Sequence, residues 1–410
     1  MDFILAKYYI QTKGNLKDVA EKIAREETTG GWVGEASPTA LFKGCTAQVY
    51  SLEEIGKGEG VVTIAFPTQN MNLENIGYSN IWLFLTGGPI FELPIYERAR
   101  LLDFELPEEL LTRFPGPKFG MKGTRRLLGR PDDELLIGTI VKPCCGLTPE
   151  EVAEKCYQVA QAGIDFIKDD EKMNNPEYCP LRKRVRLVSE AIRRANEETG
   201  RKTLYAPHIT VRSDKILDLA KEAIDSGATA LMLNFFAAGF TALQVLAEEP
   251  SVNVPIYVHT GGRSAWGRAE GQGIDLKVIA KLVRILGGDY MRVHMLGTYL
   301  LAGTKEESLD LVSILRKEMT DIKDTVPVLS GGLHAGNLGA NIKAYGVDIL
   351  PLAGTSILDH PLGIKAGVTA LRQANEAYLK GIPLEEYAKF HQELRLEIEK
   401  RGVFKVVHSP

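Results

Sequence analysis

At residues 163–171 the run GIDFIKDDE carries an apolar, β-branched segment straight into Lys168, Asp169, Asp170 and Glu171. Carboxylates this close suit a hard divalent cation such as Mg2+, which takes oxygen ligands in near-octahedral geometry. In an extended segment Lys168 and Asp170 share a face, and Glu171 enters the loop beyond. An ammonium is a poor magnesium ligand. It joins such a set only by losing its proton or by reacting with CO2 to become an anionic carbamate. A salt bridge between Lys168 and its neighbours, with no metal, satisfies the same residue types equally well.

Other short apolar runs also end in polar, titratable or glycine residues. LLIGTIVKP ends at Lys142, TLYAPHIT at His208, ALMLNFF at Asn234, VPIYVHT at His259, and DYMRVHM at Arg292 and His294. VPVLSGG ends at Ser330, Gly331 and Gly332, and VDILPLAGT at Gly354 and Thr355. With GIDFIKDDE these make eight candidate strands, separated by amphipathic stretches such as TPEEVAEKCYQVAQAG and SDKILDLAKEAIDSG. Thr148 and Ser213 suit helix N-caps, and Gly163 and Gly227 suit left-handed helix ends. Strand–helix alternation repeated eight times predicts an α/β fold with a parallel sheet closed into a (β/α)8 TIM barrel. Active sites of such barrels lie at the C-terminal strand ends, so these residues converge on one rim. The glycine pairs ending the last two strands occupy the usual place of a phosphate cradle. The first part of the chain lacks the rhythm, and FPGPKFGMKG reads as a joint. We therefore expect a smaller α+β (ferredoxin-like) N-terminal domain over residues 1–125. The barrel, with a helical C-terminal extension, is expected over 126–410.

The formal net charge of -4 on 410 residues argues against nucleic acid or a membrane surface as partner. No apolar run approaches the length of a membrane span. The start MDFILAKYYIQTKGN has no signal-peptide pattern, so a cytoplasmic protein is expected. Five scattered cysteines read as free thiols, with Cys144 and Cys145 as small packing residues.

GTIVKPCCGLTPEE, GIDFIKDDEKMNN, the GGDYMRVH region, VPVLSGGLHAG, AGTSILDHPLG and the N-terminal EETTGGW together resemble the RuBisCO large-subunit family, in order along nearly the whole chain. The resemblance implies that Lys168 is carbamylated by CO2 and binds Mg2+ with Asp170 and Glu171. It also implies a homodimer, or a multiple of dimers, whose site is completed by Glu26 and Trp32 from the N-terminal domain of a second copy.

Several positions depart from the carboxylase pattern. Cys144 stands where a second lysine is expected, Thr260 replaces a phosphate-binding arginine, and Arg292 takes a histidine position. Tyr299 sits near the place of the mobile-loop lysine that polarises CO2, with Lys305 displaced. These departures argue against carboxylation of ribulose bisphosphate and toward a RuBisCO-like (form IV) enzyme. Such an enzyme acts on a phosphorylated keto-sugar by enolisation or proton transfer, as an isomerase or enolase. Gly88, near the place of the lysine base of the methionine-salvage enolase, weakens that particular assignment. In this reading Lys142 or the Lys168 carbamate is the base, with His259 or His294 as second acid/base. Ser330, Gly331, Gly332, Gly354 and Thr355 bind phosphate, aided by Arg263 or Arg292. A decarboxylase or transcarboxylase of an oxo-isoapionate-phosphate-like substrate and a non-catalytic binding protein are the alternatives.

Overall fold

The computed structural model describes residues 2–30, 39–300 and 304–404. The chain divides into two compact units. One comprises Met1–Gly116 with Gly261–Leu286 and Met319–Ile322; the other comprises Pro117–Thr260, Gly287–Glu318 and Lys323–Pro410.

Four strands of the first unit precede the barrel in sequence: β1 (Phe3–Gln11), β2 (Gln48–Gly56), β3 (Glu59–Pro67) and β4 (Arg98–Glu105). β1 lies between β3 and β4, antiparallel to both, and β2 is an exposed edge strand. Alternation along β1 buries Ile4, Ala6, Tyr8 and Ile10 on one face. A two-residue strand from the middle of the chain, Gly273–Ile274, extends the sheet by pairing parallel to β4. Asp275, which follows it, pairs with Arg100 at 3.3 Å, and Lys281 pairs with Asp103 at 2.5 Å. Asn15 caps the helix Leu16–Glu26, which ends at Glu26.

The second unit is the barrel. Its eight strands are β5 (Gly138–Ile140), β6 (Phe166–Lys168), β7 (Leu204–Ala206), β8 (Leu231–Asn234), β9 (Ile256–His259), β11 (Tyr290–Val293), β12 (Val326–Leu329) and β13 (Leu350–Ala353), Gly273–Ile274 being β10. Each pairs in parallel with its neighbours in the order β7-β6-β5-β13-β12-β11-β9-β8. Hydrogen bonds from Ala230 to Tyr205 and from Met232 to Pro207 link β8 back to β7 and close the ring. The expected (β/α)8 barrel and separate N-terminal sheet are therefore both present.

The barrel interior is a layered core rather than a pore. Phe166, Tyr257 and Tyr290 meet inside it, with ring centroids 5.0 Å apart for Phe166–Tyr290 and 6.1 Å for Phe166–Tyr257. Burying each such side chain contributes roughly 1.5–3 kcal/mol. This layer is the floor on which the rim residues stand.

Local signals fared unevenly. Thr148 forms the anticipated capping box with Glu151 at the helix Pro149–Gln161, and Gly163 and Gly227 take positive φ just beyond their helices. Ser213 is not an N-cap; it opens a short 3-10 turn, and its hydroxyl donates to the carbonyl of Ala238. Among the described residues no helix is long and apolar enough to cross a membrane.

Candidate active site

Strand alternation sorts the KDDE run into two jobs. Phe166 points into the barrel core, so Lys168, two residues on, stands above it and lies 5.4 Å from the centre of the Tyr257 ring. Asp169, between Lys168 and Asp170, faces the helix Leu181–Thr199. There it accepts from Arg184 at 3.1 Å, from the Tyr205 hydroxyl at 2.8 Å and from the His208 amide at 3.1 Å. Both Asp169 and Arg184 have side chains fully removed from solvent. Asp169 is thus committed to the wall of the barrel, leaving Asp170 and Glu171 for the rim.

Lys168 is buried, with 1% of its surface exposed, and its Nζ donates to the main-chain carbonyl of Asp169 at 2.9 Å. Burial pulls its amine down to about 8, although Glu171, Asp170 and Asp169 all favour the charged form. Lys142, just beyond β5, donates to Asp170 Oδ2 at 2.5 Å and to Cys144 Sγ at 3.0 Å. Burial pulls Lys142 down, but those hydrogen bonds outweigh it and hold the ammonium above its ordinary value. Asp170 is pushed up by burial, and the hydrogen bonds from Lys142 and the Lys172 amide more than offset that, so its carboxyl sits below the usual range. In this arrangement Lys142 is a cation or an acid. The neutral amine that a base requires is not at hand while Asp170 faces it.

Glu171 meets His259 at 3.5 Å, and His259 Nδ1 lies 3.4 Å from the Asn234 amide nitrogen. Burial, with Lys168 and Arg292 nearby, lowers the His259 imidazole well below its ordinary value. His208, which ends the third run, has Nε2 2.5 Å from the Thr210 hydroxyl, and its buried Nδ1 has no hydrogen-bond partner among the described residues. Burial, then Lys168 and Arg184, pull it to about 3. Both imidazoles are neutral near pH 7.

Whether these residues fit a metal turns on Lys168. Among the described residues no group of three His, Cys, Asp or Glu side chains is placed to hold one. Asp170 and Glu171 supply two carboxylates, so the third anion has to come from the lysine. A buried amine with a lowered proton affinity is suited to that conversion. The donor set fits Mg2+ once Lys168 carries a carbamate.

The other half of the rim is a cavity of about 610 Å³ beside Lys142, lined by Gly331, Gly332, Gly354 and Thr355. Gly331 and Gly332 have φ of +99° and +103°, a conformation that favours glycine. A Cβ at Gly331 would stand 2.7 Å from Leu300 and 3.1 Å from Arg292. Ser330 is buried and accepts from Arg292 Nε at 3.1 Å. His294 follows β11 and is half-buried. Arg263 opens the helix Arg263–Gly267, which belongs to the first unit, as does Glu26. Trp32 lies outside the described residues.

Sequence reasoning missed three contributions. Arg184, read only as part of a helix, clamps Asp169. Lys400 and Arg401 of the C-terminal helix line the cavity. Cys144 is not a packing residue; it is partly exposed beside Lys142, and Cys145 is exposed.

Residues 120–400 match the family described as ribulose bisphosphate carboxylase large chain, catalytic domain, and residues 2–110 match its N-terminal domain. The ribulose bisphosphate carboxylase of Archaeoglobus fulgidus is 32% identical over 405 residues, covering 94% of this chain and 91% of that protein. That of Pyrococcus abyssi is 33% identical over 409 residues, covering 98% and 94%. Among solved structures, octameric ribulose-1,5-bisphosphate carboxylase/oxygenase from Pyrococcus horikoshii has a TM-score of 0.92 at 30% identity, covering 99% of this chain and 95% of its own. A rubisco-like protein from Alicyclobacillus acidocaldarius has a TM-score of 0.89, also at 30% identity, covering 98% and 99%. These relatives overturn the expectation of an isomerase or enolase of the RuBisCO-like type, and with it the argument against carboxylation. The curated relatives named here are carboxylases across nearly their full length, and the rubisco-like protein stands no nearer than they do.

Proposed function

The chain belongs to the ribulose bisphosphate carboxylase large-chain family, and from that premise we propose that it is a CO2-activated, Mg2+-dependent enzyme that carboxylates a phosphorylated sugar of the ribulose bisphosphate class. The observation that carries this reading is the buried Lys168, with its lowered proton affinity, beside Asp170 and Glu171.

Asp170, Glu171 and a carbamate on Lys168 would hold the Mg2+, which when bound supplies positive charge to substrate oxygens and a template for them. The chain's own residues do the rest. Asp169, locked by Arg184, fixes the strand so that Lys168 and Asp170 keep their face. Lys142 holds a proton and a positive charge at the inner edge of the cavity. Gly331, Gly332, Gly354 and Thr355 leave room for a phosphate. His259 and His208 remain neutral, able to accept a proton or a hydrogen bond from a substrate hydroxyl. Arg292, on Ser330, brings a cation to the next strand end. The family resemblance adds Glu26 of a second copy to the site, in a homodimer or a multiple of dimers; Trp32, the other expected contributor, lies outside the described residues.

The departures at Cys144, Thr260 and Tyr299 have a cost in rate. Each charge-stabilising donor removed from a preorganised site lowers turnover by on the order of 10²–10³. Slow carboxylation is expected.

The test is incorporation of carbon-14 from labelled CO2 into acid-stable product, with ribulose 1,5-bisphosphate and Mg2+ after incubation with CO2. Product should form, and Lys168→Ala should abolish it. Absence of fixed label in the wild type, with the protein folded and carbamylated, refutes the reading.

A further inference from the structure

The cavity beside β12 and β13 has one property that its glycines do not explain. Among the described residues its lining holds three cationic side chains, Lys142, Lys400 and Arg401, and no carboxylate. Lys142 is already bound to Asp170. Lys400 and Arg401 come from the far end of the chain, the last residues of the helix Gln392–Arg401.

Their position is set by packing. Gly402 ends the helix with φ +78°, and the Phe404 amide then donates to the Gly336 carbonyl at 2.9 Å. A Cβ at Gly336 would stand 2.0 Å from the Gly402 carbonyl oxygen, so the C-terminal segment lies directly on the start of the helix Ala335–Tyr345. That helix follows the Ser330–Gly331–Gly332 turn, so its docking brings the cationic helix end to the glycines.

Both cations meet Asp359. Lys400 Nζ lies 2.7 Å from the Asp359 carbonyl and 3.2 Å from its carboxylate, and Arg401 pairs with the same carboxylate. Arg401 Nε also lies 2.9 Å from Glu397. Burial pushes the Glu397 carboxyl up to about 7, so it only partly neutralises Arg401. His334, lowered to about 4 by burial and then by Arg401, adds no charge at neutral pH. A positive surplus therefore faces the cavity.

We propose that Lys400 and Arg401 are the cationic half of a phosphate subsite whose other half is the Gly331, Gly332, Gly354 and Thr355 rim, and that a bound phosphate shares them with Asp359. This rests on the reading of a phosphorylated substrate. It assigns specificity for that group to the C-terminal helix. Charge-assisted hydrogen bonds from an arginine and a lysine to a phosphate are strong ones, and losing both weakens binding by roughly ten- to a hundredfold.

The experiment is calorimetric titration of the full-length protein with inorganic phosphate, without Mg2+ or CO2. The wild type should bind saturably, and Lys400→Gln combined with Arg401→Gln should weaken binding at least about tenfold. Lys389→Gln, a surface lysine pairing with Glu386, controls for overall charge and should leave binding unchanged. Lys400→Gln alone, at a partly exposed side chain, gives a folded variant should the double one unfold, and should weaken binding measurably. Binding that is unchanged in the Lys400 and Arg401 variants, or no saturable binding by the wild type, overturns the proposal. Carbon-14 fixation is read separately: phosphate binding through these residues without fixation retains the subsite and rejects the carboxylase reading.

Discussion

Lys168 should react with CO2 far faster than a surface lysine, and the size of the difference follows from its burial. Only the neutral amine attacks CO2, releasing a proton as the carbamate forms. With its proton affinity at about 8 rather than the ordinary 10.5, Lys168 is neutral in about 0.09 of molecules at pH 7, against about 0.0003 for an unperturbed lysine. That is an advantage of roughly 300-fold at pH 7, and the neutral fraction of Lys168 itself levels off above pH 8. At fixed dissolved CO2, the initial rate of carbamate formation should rise about tenfold between pH 6 and 7, by about half that from 7 to 8, and little beyond. The perturbation is pH, and the assay is the initial growth of the carbamate carbon resonance after addition of carbon-13 CO2, using Lys168→Arg as the blank. A resonance that persists in Lys168→Arg, or an initial rate that keeps climbing tenfold per unit up to pH 10, would refute the argument from burial.

Arg184→Met should leave Asp169 charged and unpaired inside the barrel wall, costing about 3–5 kcal/mol; urea unfolding reads it, and a loss under about 1 kcal/mol would contradict the assigned clamp. His208, held near 3 when folded and at the ordinary 6.5 when unfolded, contributes stability that is complete above pH 6.5 and lost as pH falls from 6.5 toward 3. Its slope is about 1.4 kcal/mol per pH unit, which His208→Gln should remove from the acid limb of a stability profile. Gly331→Ala, forced into φ +99° with its new methyl against Leu300 and Arg292, should cost about 1–3 kcal/mol and weaken inorganic-phosphate binding; unchanged binding and melting would show that the turn tolerates a side chain.

Much of this site was legible because a barrel turns sequence order into spatial order. A strand with period two, read to its last residue, already says which side chains face the axis. That placed Lys168 and Asp170 together and set Asp169 apart. What strand endings cannot carry is any residue that arrives from elsewhere. Arg184 lies in the first turn of a helix, and nothing in LRKRVRL separates it from its solvated neighbours. Lys400 and Arg401 read as a charged helix end until the Gly402–Phe404 segment is seen against Gly336. Gly273–Ile274 is too short for periodicity to register, and its pairing with β4 is a matter of contacts more than 160 residues apart in sequence. The functional expectation failed for a different reason. Missing lysines are a local signal, and the full-length similarity to carboxylases outweighed them.

The placement of Gly261–Leu286 with the N-terminal sheet has a consequence for how the chain can be divided. A fragment from Pro117 onward invites expression alone. Yet it would carry β10 without β4, Asp275 without Arg100 and Lys281 without Asp103, all in the middle of its length. The first unit takes up the chain again at Gly261–Leu286 and at Met319–Ile322, a weave of sequence in which neither unit is one continuous stretch. An insertion or fusion point that respects this weave lies outside 98–105 and 273–281, and neither unit is a module that one cut can release.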